Sequence, residues 1–164
     1  MGAGKTTTGR LVAEELGYAF DDLDDLIESA CGMPIPEIFA AHGEAYFRAV
    51  ERRELLKLLE TDADSVVALG GGTPAQPGLM DAILETSQVF WLRCPVPVMS
   101  RRVLSEGPKK RPLMAAFRSN EEVQEALATR LSEREPHYRR AHFTIDVNDG
   151  DAPRHVAQRI LSQL

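Results

Sequence analysis

Positive charge is scarce in this chain: 19 Lys and Arg face 25 Asp and Glu, a formal net charge of −6. The run Lys109-Lys110-Arg111 is too short to make the basic footprint that a duplex binder needs. Nucleic acid is therefore not an expected partner. Cysteine is equally sparse. Cys31 and Cys94 stand far apart without zinc-ligand spacing, which predicts two free thiols in a reducing cytosol. No apolar run approaches the roughly 18 residues of a membrane span, and the N-terminus has no signal-peptide pattern. The expectation is a soluble, cytoplasmic protein with no membrane partner. His42, His137, His142 and His155 pair with no Ser or Cys nucleophile in the sequence and are given no catalytic role.

One further absence is local. Gly4-Lys5-Thr6 matches the end of the phosphate-loop pattern G-x-x-x-x-G-K-[ST], with Met1 at only its third position. The first glycine of the motif, and the hydrophobic strand that delivers a chain into such a loop, are not in the sequence. The half that is present has a defined chemistry. Its glycines let backbone N–H groups curl around an anion, and the positive end of the following helix adds to the attraction. Lys5 would reach the β- and γ-phosphates of a nucleotide, and the Thr6 hydroxyl would ligate Mg²⁺. Thr8, Leu11, Val12 and Leu16 give that helix one buried face, and Gly17 stops it.

At 164 residues the chain has the size of a single domain. Strand-like and helix-like segments alternate, which predicts a parallel sheet flanked by helices. The strand candidates are 18–22, 65–69, 89–92 and 143–147. Helices are expected over 24–30, from Pro36 to about Gly43, over 44–60, from 96 to about 104, from a capping box at Ser119 and Glu122 to about Glu135, and over 152–164. Residues 105–120 are polar, proline-containing and basic in the middle, and read as a mobile flap.

In an open α/β sheet, ligands sit beyond the carboxyl ends of the strands. Three unusual segments fall there: the phosphate loop, Asp21-Asp22-Leu23-Asp24, and Gly70-Gly71-Gly72. Beside a Lys-Thr phosphate site, Asp22 suits Mg²⁺ held through water, and Asp24 suits accepting a proton from a hydroxyl nucleophile. Asp24 read alone is equally a helix N-cap. The triple glycine is either a flexible turn or a surface where a small polar ligand reaches backbone N–H groups. Arg48 and Arg134 are either solvated charges or a pair of carboxylate clamps. Arg111, in the basic flap, would close over a transferring phosphoryl group.

Together and in this order, these segments resemble the shikimate kinase family. The resemblance rests on Met1-Gly2-Ala3-Gly4-Lys5-Thr6, Phe20-Asp21-Asp22-Leu23-Asp24, Ile35-Pro36-Glu37-Ile38-Phe39, Gly43-Glu44 through Phe47-Arg48, Gly70-Gly71-Gly72, Arg111-Pro112-Leu113 and Arg134-Glu135-Pro136-His137-Tyr138. It covers essentially the whole chain. It implies an α/β, P-loop, nucleoside-monophosphate-kinase-like three-layer fold, with a parallel sheet of five strands in the family, a mobile lid at about 105–120, and one domain over 1–164. The first of the five strands would be missing here. It lies at the centre of the sheet, so a chain starting at Met1 is expected to leave two neighbours unpaired and to be poorly stable and weakly active.

The implied reaction is transfer of the γ-phosphoryl of ATP, with Mg²⁺, to the 3-hydroxyl of shikimate, on the route to chorismate and aromatic amino acids. The implied ATP site is Gly2, Ala3, Gly4, Lys5, Thr6, Thr7 and Arg111, with Mg²⁺ at Thr6 and Asp22. Shikimate falls to Asp24, Arg48, Gly70, Gly71, Gly72 and Arg134, and catalysis to Asp24, Lys5 and Arg111. Arg101 or Arg102 lies where an adenine-stacking arginine belongs, and a monomer is implied. Another kinase of the same fold, such as a gluconate kinase, would explain the loop but not Arg48 and Arg134 with Asp24. A non-catalytic protein that keeps the pocket is the reading from outside the enzymes. Departures from the family are confined to Thr73-Pro74 and the flap segment 105–110.

Overall fold

The computed structural model of the chain describes residues 2–106 and 119–164. Residues 107–118 of the expected flap, with Arg111, and Met1 lie outside the described residues, while its first two residues belong to a helix ending at Glu106 and its last two, Ser119 and Asn120, cap and open the next. The elements run α1 (Lys5–Leu16), β1 (Ala19–Asp22), α2 (Leu23–Cys31), α3 (Ile35–Leu59), β2 (Ser65–Ala68), a 3-10 turn (Thr73–Ala75), α4 (Leu79–Thr86), β3 (Phe90–Arg93), α5 (Val96–Glu106), α6 (Asn120–Tyr138), β4 (Phe143–Asp146) and α7 (Pro153–Leu161). All four strands match the sequence candidates to within a residue or so. The expected break near Gly43 is a kink inside α3, where Gly43 takes φ 78° and ψ 176°. That backbone conformation suits glycine because no Cβ obstructs it. Helix α6 runs three residues past the expected Glu135 and carries Pro136 inside it. At its start, the Ser119 hydroxyl accepts from the Glu122 amide at 3.2 Å. Helix α4 has no counterpart in the sequence reading.

The four strands form two separate parallel pairs. β1 lies on β2 with Asp22 opposite Ala68, and β3 lies on β4 with Arg93 opposite Asp146. Among the described residues no strand joins β2 to β3. The apolar interior is split to match. One cluster gathers Val12, Val98, Met99, Val103, Val123, Leu127, Ile145 and Ile160 from α1, α5, α6, β4 and α7. The other gathers Leu23, Ile27, Ile38, Phe47, Val50, Leu55, Leu79 and Ile83 from α2, α3 and α4. A cavity of about 840 Å³ opens between them, walled by residues of β2 and β3 and by α1. Because β1 and β2 are parallel neighbours, their carboxyl ends deliver Asp22 and Gly70 to one edge, and α1 packs on both strands. That edge is where the candidate site lies.

Candidate active site

The phosphate loop sits at the start of α1. Gly2 and Gly4 hold φ of 70° and 87°, a left-handed backbone that turns the chain tightly into the helix. A Cβ on Gly2 would stand 2.9 Å from the Met99 carbonyl oxygen, so the loop is pressed against α5. No side chain caps α1 at Gly4. A helix N-terminus that its own N-cap side chain does not cover is the arrangement that attracts phosphate. Ala3 is buried in the first apolar cluster, so it serves the loop through its backbone, while Thr6 and Thr7 are exposed. Arg102 Nη1 donates to the Gly2 carbonyl at 3.4 Å, whereas Arg101 pairs outward with Asp149 at 2.7 Å. Of the two arginines expected near the nucleotide, Arg102 is the one against the loop.

Asp22 links this loop to the second half of the site. Its Oδ2 accepts from the Thr6 hydroxyl at 2.7 Å, and its Oδ1 accepts from the Asp24 amide at 3.1 Å. Asp22 is therefore the N-cap of α2, and Asp24 sits one residue inside the helix. The capping role open to Asp24 in the sequence belongs to its neighbour. Thr6 and Asp22 are within reach of one shared cation, and no cluster of three or more His, Cys, Asp or Glu surrounds a metal position among the described residues. One hydroxyl and one carboxylate fit Mg²⁺, which keeps most of its shell as water and phosphate oxygens.

Space is tight at two of the three glycines, Gly70 and Gly72. A Cβ on Gly70 would meet Glu51 Oε1 at 2.8 Å, Thr73 Oγ1 at 3.0 Å and Asp24 Oδ1 at 3.4 Å. A Cβ on Gly72 would meet both Nη atoms of Arg48 at 2.8 Å. Asp24 and Arg48 thus converge on the same short backbone segment from α2 and α3. Arg134 lines the cavity with Gly70, Gly71 and Lys5. One turn further along α6, the Tyr138 hydroxyl donates to the Gly71 carbonyl at 2.5 Å. Burial pushes the Tyr138 phenol above its ordinary pKa, and the Arg134 charge beside it pulls the other way.

Arg48 is held rather than free. It donates to Glu51 at 2.6 Å and to Glu44 at 3.1 Å. Burial favours its neutral form, but the hydrogen bonds and charges of Glu51 and Glu44 outweigh that and raise its pKa above the ordinary arginine value. Glu51 is 1% exposed and also accepts from the Thr73 hydroxyl and the Gln76 amide, each at 2.6 Å. One buried carboxylate therefore fixes Arg48 and the turn after the glycines together.

The structure brings Gly2, Gly4, Lys5, Thr6, Asp22, Asp24, Arg48, Gly70, Gly71, Gly72 and Arg134 to one edge. The sequence reading passed over Glu51, Gln76 and the Tyr138 hydroxyl, and met Thr73 only as a departure. A signal for Glu51 was present: it lies midway between Phe47 and Leu55, at the four-residue spacing of the apolar stripe of α3. An acid in such a stripe is buried with partners or not tolerated.

The shikimate kinase family model matches residues 1–164. A shikimate kinase from Thermodesulfovibrio yellowstonii is 37% identical over 163 residues, covering 99% of this chain and 90% of the relative. One from Novosphingobium aromaticivorans is 41% identical over 167 residues, covering 98% and 81%. Among solved structures, shikimate kinase from Acinetobacter baumannii in complex with shikimate superposes with a TM-score of 0.89 at 40% identity, covering 99% of this chain and 87% of that one. Shikimate kinase from Bacteroides thetaiotaomicron gives 0.87 at 29% identity, covering 100% and 94%. These similarities bear out the P-loop kinase fold and favour the shikimate reaction over the gluconate kinase and non-catalytic readings. The chain belongs to the shikimate kinase family, and its reaction is the phosphorylation of shikimate by ATP with Mg²⁺ in aromatic amino acid biosynthesis.

Proposed function

We propose that this chain, as a single domain over 1–164 with a lid at about 105–120, transfers the γ-phosphoryl of ATP to the 3-hydroxyl of shikimate through the residues gathered at the carboxyl ends of β1 and β2. The observation that carries this reading is the meeting of Asp24, Arg48 and the triple glycine beside a phosphate loop tied to Asp22. The loop amides and Lys5 cradle the phosphates. Thr6 and Asp22 would hold Mg²⁺, which would supply charge neutralisation at the phosphate oxygens. Asp24 orients the hydroxyl and takes its proton late, since a loose transition state leaves that proton in place until bond formation is advanced. Arg48 and Arg134 grip the substrate carboxylate from two sides. Arg111 completes the charge over the phosphoryl group in this proposal, on the strength of the sequence motif.

We further place the protein in the cytoplasm as a monomer whose partners are small molecules, a reading supported by its acidic charge and its free Cys31 and Cys94. The test is Asp24→Asn in a coupled assay with ATP, Mg²⁺ and shikimate. Loss of a general base lowers kcat by about 10²- to 10⁴-fold, with ATP affinity retained. Normal turnover removes Asp24 from the mechanism.

A further inference from the structure

The triple glycine is also a turn with two shapes open to it. The Thr73 amide donates to the Gly70 carbonyl at 3.1 Å, which makes residues 70–73 a β-turn whose central peptide joins Gly71 to Gly72. Gly72 takes φ −90° and ψ −13°, the values of the third position of a type I turn. Types I and II differ by a half rotation of that central peptide, and type II asks for a positive φ at the third position. Glycine meets that demand without strain, so the glycines alone do not select the type I form.

The selection comes from α6. The Gly70 and Gly72 carbonyls are taken up within the turn, by the amides of Thr73 and Ala75. The Gly71 carbonyl belongs to the central peptide, and it accepts instead from the Tyr138 hydroxyl at 2.5 Å. Tyr138 is the last residue of α6, and its ring packs against Trp91 with centroids 5.9 Å apart. The hydroxyl is thus anchored from outside the turn and does not follow a flip. In a trans peptide the C=O and the next N–H point in opposite directions, so a Gly71 carbonyl held toward α6 aims the Gly72 amide away from it.

We propose that Tyr138 is a positioning residue for shikimate: its hydroxyl locks the 70–73 turn in type I and keeps the Gly72 amide turned toward the substrate beside Arg48. Gly72 stands against that arginine, since a Cβ on it would meet the guanidinium at 2.8 Å. A flip would turn the amide toward α6 and present the Gly71 carbonyl, an acceptor, where an anionic substrate needs a donor. The proposal rests on the reading that the triple glycine and Arg48 line the substrate site.

Tyr138→Phe removes the hydroxyl and keeps the ring. With ATP and shikimate varied in turn, the KM for shikimate should rise about three- to tenfold, the worth of one hydrogen bond, while the KM for ATP stays unchanged. Emission from Trp91, the chain's only tryptophan, checks that the ring still packs. In an amide NMR spectrum of glycine-labelled protein without substrate, the Gly72 resonance should be displaced or doubled in Tyr138→Phe, because that amide shares its peptide with the Gly71 carbonyl. A Gly72 resonance identical to that of the wild type overturns the lock. So does an equal rise in both KM values with a lower melting temperature, which marks a merely structural loss. Arg48→Gln, which keeps a donor for Glu51 but no charge, separates the lock from the reading beneath it. An unchanged shikimate KM in Arg48→Gln overturns the site reading and the lock together. A raised KM there beside a wild-type KM in Tyr138→Phe overturns the lock alone.

Discussion

Truncating Glu51 tests whether the substrate half of the site is organised by one buried carboxylate. Glu51→Ala removes the acceptor for Arg48, Thr73 and Gln76 at once, three hydrogen bonds of 2.6 Å. Thr73 is fully buried and Arg48 is 26% exposed, so water replaces the lost acceptor poorly. Breaking a buried ion pair by removing one partner costs about 3 to 5 kcal/mol, and an orphaned buried hydroxyl costs about 1 to 3 kcal/mol. These costs overlap, so the expected loss is about 3 to 5 kcal/mol, a large share of the roughly 5 to 15 kcal/mol that holds a domain together. At about 2 to 4 °C per kcal/mol for a chain of this size, the melting temperature should fall by about 6 to 20 °C. Glu51→Gln keeps the shape and one acceptor but loses the charge facing Arg48, so it should fall between the wild type and Glu51→Ala. Urea unfolding with an unchanged m-value checks that stability, rather than the unfolded state, has moved. A loss below about 1 kcal/mol for Glu51→Ala would refute the organising role.

The remaining predictions concern the clamp, the glycines and the acid limb. Arg134→Ala should weaken shikimate binding by about 2 to 5 kcal/mol if the charge pair is desolvated, while ATP affinity stays unchanged. Calorimetric titration with each ligand decides this, and an unaltered shikimate affinity removes Arg134 from the clamp. Gly72→Ala drives a Cβ to 2.8 Å from the Arg48 guanidinium, so the guanidinium must shift from its present place. The KM for shikimate should rise several-fold, and a wild-type KM would show that Arg48 can shift without consequence. Asp146 is held below the ordinary carboxylate pKa, chiefly by its hydrogen bond to Arg93 on the paired strand. A depressed native pKa gives stability that is present above the unfolded value of about 3.9 and lost as pH falls through the native one. Asp146→Asn should therefore flatten the fall in stability below about pH 4, and an identical acid-unfolding curve would count against the pair.

The strands were legible because each is a short apolar run bounded by polar or glycine residues, and buried parallel strands read that way. The kink at Gly43 was legible as two helices for a related reason: glycine both ends one helix and permits the turn into the next. Helix α4 was not, since Leu79 to Thr86 is only eight residues long and follows a Gly- and Pro-rich stretch that reads as loop. In the site, residues with a motif behind them were found, and those defined by their partners were not. Asp24 was open to a capping role because nothing in sequence distinguishes it from Asp22. The choice depends on which carboxylate reaches the Asp24 amide, a contact set by the dihedral angles at the end of β1. Glu51, Gln76 and Tyr138 act through contacts spanning 25 residues or more in two of the three cases, Glu51 to Gln76 and Tyr138 to Gly71. No local pattern records such pairings.

The division of the interior into two clusters has a direct bearing on catalysis. Asp24 and Arg48 stand on α2 and α3, which belong to one cluster, while α1, α5 and α6, with Lys5, Arg102 and Arg134, belong to the other. The two arms of the proposed carboxylate clamp therefore come from different cores, as do the proposed base and the phosphate loop. Across this divide the Thr6 hydroxyl reaches Asp22 at 2.7 Å and the Tyr138 hydroxyl reaches Gly71 at 2.5 Å, and α1 packs on β1 and β2. Phosphoryl transfer draws most of its acceleration from holding the hydroxyl and the phosphoryl group in line, and a displacement near 1 Å costs about 10²-fold. Relative movement of the two cores would thus act on kcat before it acted on either ligand's affinity.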